Sequence, residues 1–248
     1  MTTTPRRLGE LTTAEVRALV AAPPTAVLVP VGSVEPHGPH LPLATDTLLS
    51  ETAALRACDA LAAKGIRAVV APSVGYGVTD FAEGFAGAVS IPAPVLTGLL
   101  RAIATSLLAD GWSRVCFVNS HLEPAHDAAV RAAVEGMAGA CVASPLRRRW
   151  AQTLSDEFRR GNCHAGRYET SLVLAAGGRV SDEHRALPPV DISLSDAIRA
   201  GQSRFRDIGM SEAYTGAPAE ASRAEGDGLY EKLVAMIVGE VVGEVTPG

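Results

Sequence analysis

The chain has 248 residues, 47% of them hydrophobic and 4% aromatic, and a formal net charge of −5. This length and apolar content suffice for one large α/β domain, and the shortage of aromatics argues against an aromatic-rich β-sandwich. Mild acidity, with no basic run longer than Arg147-Arg148-Arg149, excludes a nucleic-acid face, and no apolar stretch approaches the ~20 residues of a membrane span. No apolar segment follows the basic N-terminal residues, so no secretory signal is read. Cys58, Cys116, Cys141 and Cys163 form no CxxC pair, and reduced thiols in a cytoplasmic protein are expected.

In chain order, Thr12-x-x-Glu15 forms a capping box that starts a helix ending before Pro23-Pro24. Ala26 to Val31 reads as a buried strand. A loop crowded with Glu35, His37, His40 and Asp46, and stiffened by Pro36, Pro39 and Pro42, follows it. Asp46 is placed to cap a helix from Thr47 to about Ala63, closed by Lys64-Gly65. Ile66 to Ala71 is a second strand, and Ser73 to Ala88 a long Gly-rich loop of the kind often used functionally. A helix is predicted from Pro94 to Asp110 and a strand from Arg114 to Val118. Pro124 then opens a helix reaching about Met137, and Ala140 to Ala143 is a fourth strand. After Ser144 the pattern loosens. A polar segment, Asn162 to Ser171, leads into a helix at Leu172 to Ala175; residues 177–217 are mostly loops with a short helix at Leu194 to Ala200; a final helix runs from Ala219 to Val242. No repeat or linker interrupts the chain, so one domain over residues 1–248 is expected. Alternating strands and helices predict parallel βαβ units.

Glu35-x-His37 after a strand puts both side chains on one side, and His121-x-Glu123 repeats that spacing after another strand. In a parallel sheet both motifs open onto the carboxyl edge, where such sheets bind ligands. Asp46, with two oxygens, can bridge two ions. These five ligands suit a pair of divalent metals about 3.5–4 Å apart, which activate a water and polarise a carbonyl. Zn, Mn and Fe all accept this N/O set. His40 is expected to orient the loop rather than ligate. His126, one turn into a helix, is read as partly exposed or as orienting a ligand, and His184 as solvated. His164 suits proton transfer, because an ordinary imidazole titrates near neutrality. Glu169, five residues later, has four available roles: ligand, general base, group orienting His164, or helix-capping carboxylate. Cys163 is not expected to act as a nucleophile, since adjacent residues point in different directions.

Three stretches resemble the creatininase (creatinine amidohydrolase) family: Pro30-Val-Gly-Ser-Val-Glu-Pro-His-Gly-Pro-His-Leu-Pro-Leu-Ala-Thr-Asp46, Val118-Asn-Ser-His-Leu-Glu123 and His164-Ala-Gly-Arg-Tyr-Glu-Thr-Ser171. Gly216-Ala-Pro-Ala-Glu-Ala-Ser222 with Glu225-Gly226 is a weaker match. The resemblance implies a three-layer α/β/α sandwich with a mostly parallel central sheet and a binuclear centre of Zn or Mn, with Fe admissible. It also implies a hydrolase of carbon–nitrogen bonds other than peptide bonds. Such an enzyme cleaves a cyclic or small-molecule amide by attack of a metal-bridging hydroxide, commonly as a homo-hexamer. Position by position, Glu35 and His121 would bind one metal, His37 and Glu123 the other, Asp46 would bridge, and His164 would shuttle the proton. Family members with His-Gly-Gly-Asn at the second motif use the carboxylate matching Glu169 instead. This chain carries both Glu123 and Glu169, so either can ligate or act in catalysis.

Two departures argue against creatinine itself. Gly77 to Ala88 lacks the His of the family's Gly-x-Ser-x-Glu-His, and Trp150 is the only counterpart offered for the tryptophans that close the creatininase pocket. Other branches of the family deformylate a pyrimidine intermediate or trim the mycofactocin precursor peptide, and these are the alternative reactions. A third reading, a catalytically silent small-molecule binder on the same fold, is opposed by the complete ligand set. Neither a nucleic acid nor a membrane is expected as partner.

Overall fold

Strand β1 (Thr25–Val31) is buried along its whole length, as a strand covered on both faces must be. The structure, a computed structural model, describes residues 6–243. β1 pairs in parallel with β2 (Arg67–Val70) on one side and β3 (Arg114–Asn119) on the other, and β4 (Ala140–Ala143) continues beside β3. The order is therefore β2-β1-β3-β4. The helices are α1 (Thr13–Val20), α2 (Thr45–Ala62), α3 (Ala93–Ala109), α4 (Pro124–Val134), α5 (Arg148–Ala151), α6 (Asp156–Arg160), α7 (Arg167–Ala176), α8 (Leu194–Arg199) and α9 (Arg223–Val242).

The period-two alternation of strand side chains divides the core. Ala26, Leu28, Cys116 and Val118 join α2, α7 and α9 in one buried layer. Val27, Val29, Val31, Val115 and Phe117 join α3 and α4 in the other. The sheet is thus sandwiched between two helical layers, and every described strand pair is parallel. From β1 the chain moves outward to β2, then returns past β1 to β3. Strand order reverses between β1 and β3, and the crevice at their carboxyl ends is where such sheets bind ligands.

Two glycines permit close approaches that position the site. A Cβ on Gly32 would lie 2.5 Å from the Thr47 amide nitrogen, so the end of β1 can touch the start of α2. A Cβ on Gly226 would lie 1.9 Å from the Ser171 carbonyl oxygen, which lets α9 press against α7.

Several boundaries differ from the sequence reading. The Thr12–Glu15 capping box is present, but α2 starts at Thr45 with Ala44 at its N-cap. Asp46 therefore does not cap; it lies inside the first turn, and its carboxylate is engaged elsewhere. α4 stops at Val134, short of Met137, because Glu135 leaves the helical region and Gly136 turns with φ +71°. α7 begins at Arg167, well before Leu172, and its polar residues Tyr168, Glu169, Thr170 and Ser171 are all buried. α9 starts at Arg223, capped by the Ser222 hydroxyl, which accepts the Glu225 N–H; Ala219 falls in a separate 3-10 turn, Pro218–Glu220. The short helices α5 and α6 were not anticipated.

Candidate metal centre

Glu35 and His37 lie on the loop leaving β1, Asp46 in the first turn of α2, and His121 just beyond β3. His164 and Glu169 come from the loop entering α7 and from its first turn. All six are buried. Asp46 faces two imidazoles with its two oxygens: Oδ1 is 3.2 Å from His37 Nε2, and Oδ2 is 3.1 Å from His121 Nδ1. Glu35 Oε1 is 3.1 Å from His121 Nδ1, and Glu169 Oε2 is 3.5 Å from His37 Nε2. Donor atoms of Glu35, Asp46 and His121 all lie within 4.8 Å of one another, as do those of His37, Asp46 and Glu169, and of Glu35, His37 and His164. The first two groups share Asp46.

Backbone carbonyls fix both imidazoles. His37 Nδ1–H donates to the Glu35 carbonyl at 3.1 Å, and His121 Nε2–H donates to the Val78 carbonyl at 2.7 Å. A carbonyl can only accept, so each ring spends one N–H on the backbone and turns its other nitrogen toward the carboxylates. His37 Nε2 is fully buried and makes no hydrogen bond. The carboxylates are held too. The Ser33 hydroxyl donates to Asp46 Oδ2 at 2.7 Å, the Thr79 hydroxyl to Glu35 Oε2, and the Ala165 N–H to Glu169 Oε2 at 2.7 Å.

Three buried carboxylates at this spacing require nearby positive charge. Burial opposes charge on His37, yet Asp46, then Glu169 and Glu35, outweigh it and hold the ring up to about 10. His121 is likewise held well above its ordinary value, because Glu35 and Asp46 outweigh burial. Burial pushes Glu169 up to about 8. An orphaned buried nitrogen and a mixed imidazole–carboxylate donor set fit a pair of divalent ions of the Zn or Mn type.

His164 sits beside this cluster. Its Nε2–H donates to the Pro36 carbonyl at 3.0 Å, and its Nδ1 is 3.9 Å from Glu35 Oε1. The ring lies between those of His37 and Phe205, with 4.6 Å between centroids on each side. Burial lowers its pKa to about 4, so the ring is neutral at neutral pH. His40 hydrogen-bonds Thr170, the neighbour of Glu169, at 2.9 Å. Glu123 turns another way: its two oxygens accept the N–H groups of Asp80 and Phe81 at 3.1 and 3.2 Å, and burial pushes its carboxyl up to about 7.

Other placements correct the sequence reading. Of the two readings of His126, burial removes the exposed one and leaves the orienting one: it is fully buried, edge-on to His121 at 4.6 Å, and its Nδ1 accepts the Val78 N–H at 3.2 Å. The backbone of Val78 thus joins the two rings. His184 is buried rather than solvated and hydrogen-bonds the Ser181 carbonyl at 2.8 Å. Trp150 does not reach the cleft; its Nε1–H donates to Glu240 on α9 at 2.7 Å. The Cys163 thiol is held well above its usual value by burial, which leaves it protonated beside His164. Ser33 and Thr79 had escaped the sequence reading. Ser33 lies two residues before Glu35, at the spacing that shares a face, but nothing local marks Thr79.

A cleft of about 470 Å³ opens over the cluster. Glu35, Asp46, His121, His164 and Glu169 reach it, and Phe81, Leu122, Leu146, Phe158, Ile198 and Phe205 give it apolar walls.

The family profile described as creatininase, creatinine amidohydrolase, matches residues 9–241. A protein of Mycolicibacterium smegmatis named mycofactocin precursor peptide peptidase is 33% identical over 244 residues, covering 93% of this chain and 88% of that protein. A protein of the same name from Mycobacterium ulcerans is 30% identical over 251 residues, covering 97% of this chain and 93% of that protein. A creatinine amidohydrolase of Pseudomonas putida is 33% identical over 121 residues, covering 47% of this chain and 45% of that protein. Among solved structures, one described as creatininase Mn superposes with a TM-score of 0.74 at 24% identity, covering 98% of this chain and 100% of that one. A mutant creatininase of Zn-Zn type gives 0.73 at 24% identity, covering 99% and 100%. These two likenesses establish the three-layer fold.

Proposed function

Because the chain belongs to the creatininase family of hydrolases, we propose that it cleaves a carbon–nitrogen amide bond using two divalent metal ions. The observation that carries this reading is the pair of three-residue donor groups sharing Asp46, with the unpartnered Nε2 of His37 aimed into one of them. Glu35, Asp46 and His121 would hold one ion, and His37, Asp46 and Glu169 the other. Ions held there would lower the pKa of a water and polarise the amide carbonyl. Zn and Mn are the candidates, since related structures are described with one or the other.

The chain's own residues supply the rest. Ser33 and Thr79 keep Asp46 and Glu35 turned inward. His164, neutral with its proton on Nε2, offers Nδ1 to take a proton from the attacking water. The water oxygen bonds to the carbonyl carbon, the C–N bond breaks, and the proton passes from Nδ1 to the leaving nitrogen. Phe205 and the other apolar walls exclude bulk water. Glu123, titrating near neutrality in the cleft wall, is a second proton-transfer group. Assembly into a homo-hexamer goes with the family resemblance and is read by light scattering.

The substrate is a peptide or peptide-like amide in preference to a small ring. The relatives aligned with nearly the whole chain are named peptide peptidases, whereas the creatinine amidohydrolase aligns with less than half. The test is a panel of short peptides, formamides and cyclic amides given to protein loaded with Mn or Zn. Metal-dependent peptide cleavage that His121→Ala abolishes is expected. Protein holding two ions that cleaves no C–N bond in the panel would sink the reading.

A further inference from the structure

The cleft continues past the metal cluster along α4. Pro124, Asp127, Ala128 and Arg131 all line it, at the i, i+3, i+4, i+7 spacing of one helix face. Seven residues separate Pro124, which directly follows the His121-x-Glu123 motif, from Arg131. At the helical rise this is about 10 Å.

Arg131 is held as a binding group would be. Its Nε donates to Asp127 Oδ2 at 2.6 Å, and Asp127 Oδ1 accepts the Ser144 hydroxyl at 2.7 Å. Asp127 is buried and Ser144 is fully buried, while the Arg131 side chain keeps 34% of its exposure. The two Nη groups make no hydrogen bond among the described residues. The guanidinium is therefore fixed through one edge and presents its remaining donors to the cleft. Such a fork matches a carboxylate in two parallel hydrogen bonds. Leu122, Leu146 and Phe158 give the same cleft apolar walls.

We infer that Arg131 anchors a substrate carboxylate, so that the cleft selects linear amides ending in a free carboxylate within about 10 Å of the bond to be cut. An extended chain advances about 3.3–3.6 Å per residue. Arginine side chains on a helix reach back toward its N-terminus, as Arg131 does toward Asp127, so the spacing corresponds to at most about three residues. The class of substrate is a short peptide with apolar residues before its free C-terminus. This inference rests on the hydrolase reading, but its test can separate the two.

The experiment compares N-acetylated tetrapeptides ending in Leu-Phe, as free acids and as C-terminal amides, on the metal-loaded full-length protein. The wild type is expected to favour the acid by about 10- to 100-fold in kcat/KM, the usual yield of a charge-assisted hydrogen bond. Cleavage is expected within about three residues of the carboxylate. Arg131→Gln should collapse the acid-over-amide ratio toward one. Arg131→Lys, which keeps the charge but not the fork, should retain part of it. Equal rates for acid and amide in the wild type, or an undiminished ratio in Arg131→Gln, overturn the assignment. Circular dichroism melts check that both variants fold. If the wild type cleaves neither peptide, the peptide-substrate reading fails while the hydrolase reading is left to the wider amide panel, and the anchor is judged by calorimetric titration of the same two peptides. Tighter binding of the acid, lost in Arg131→Gln, supports it, and equal affinities overturn it.

Discussion

His37 and His121 each give one N–H to a backbone carbonyl and turn the other nitrogen toward carboxylates. Metal uptake must strip a proton from that nitrogen. Asp46, Glu169 and Glu35 overcome burial to hold His37 up to about 10, so at pH 8 the ring binds its proton until an ion replaces it. Metal binding should therefore release protons, and affinity should climb as pH rises toward 10. Calorimetry at pH 8 in buffers of different ionisation enthalpy reads the release directly, and buffer-independent heats would contradict it. The same raised pKa stabilises the metal-free fold below the ordinary value of 6.5, a contribution lost as pH climbs through about 10. Two carboxylates separate by similar logic. Glu169 lies 3.5 Å from His37 Nε2, whereas Glu123 serves two backbone amides. Glu169→Gln should reduce bound metal from two ions per chain toward one, while Glu123→Gln keeps two. Metal analysis after dialysis decides, and the reverse pattern would assign Glu123 as ligand. Individual residues were only partly legible in the sequence. The E-x-H spacing singled out Glu35 and His37 and the H-x-E spacing His121, all of which face the cluster, whereas Glu123 turns to the amides of Asp80 and Phe81. The burial of His126 and His184 was not legible, because burial of a lone histidine depends on neighbours distant in sequence: Val78 and His121 for one, which leaves His126 its orienting role, His40 and Ser181 for the other.

At the scale of elements, α9 offers a paired test. Gly226 faces α7 with its missing Cβ 1.9 Å from the Ser171 carbonyl, whereas Gly228, two residues on, has open space there. Gly226→Ala must push the helices apart and should cost about 1–3 kcal/mol or more, as overpacking does. Gly228→Ala only improves helix propensity and should add about 0.5–1 kcal/mol. Denaturant melts of the two variants should move in opposite directions; a neutral Gly226→Ala would mean that α7 and α9 do not meet this closely. The elements most legible beforehand were β1 and β3, whose apolar runs answer directly to burial on both faces. The start of α7 was hidden because Tyr168 to Ser171 are polar yet buried: they serve the site rather than an apolar stripe. Asp46 misled for the same reason, since a first-turn aspartate looks like a cap until Ser33, His37 and His121 are seen around it.

At the scale of the whole molecule, the metal cluster ties together segments near residues 35, 46, 121 and 169, which reach it from separate elements. Ions bound there act as a cross-link that only the folded chain possesses. Removing them with a chelator should lower the melting temperature, and restoring metal at about 100 times its dissociation constant should return about 2.7 kcal/mol per site. A melt indifferent to chelator would place the ions elsewhere. That the two strand-end motifs would meet was legible, because parallel strands send their carboxyl ends to one edge. The cleft walls were not, because α5, α6 and α8 are too short to leave a periodic signal.

The carboxylate-rich surroundings of His37 also bear on supply inside a cell. Such an N/O pocket has little means of refusing an unwanted divalent ion, since intrinsic affinity rises from Mn²⁺ through Fe²⁺ toward Cu²⁺, with Zn²⁺ close behind. The metal recovered with the protein should then report the growth medium and the moment of folding rather than a preference encoded in the chain. Preparations from manganese-rich and zinc-rich cultures would be expected to differ in content while sharing one sequence.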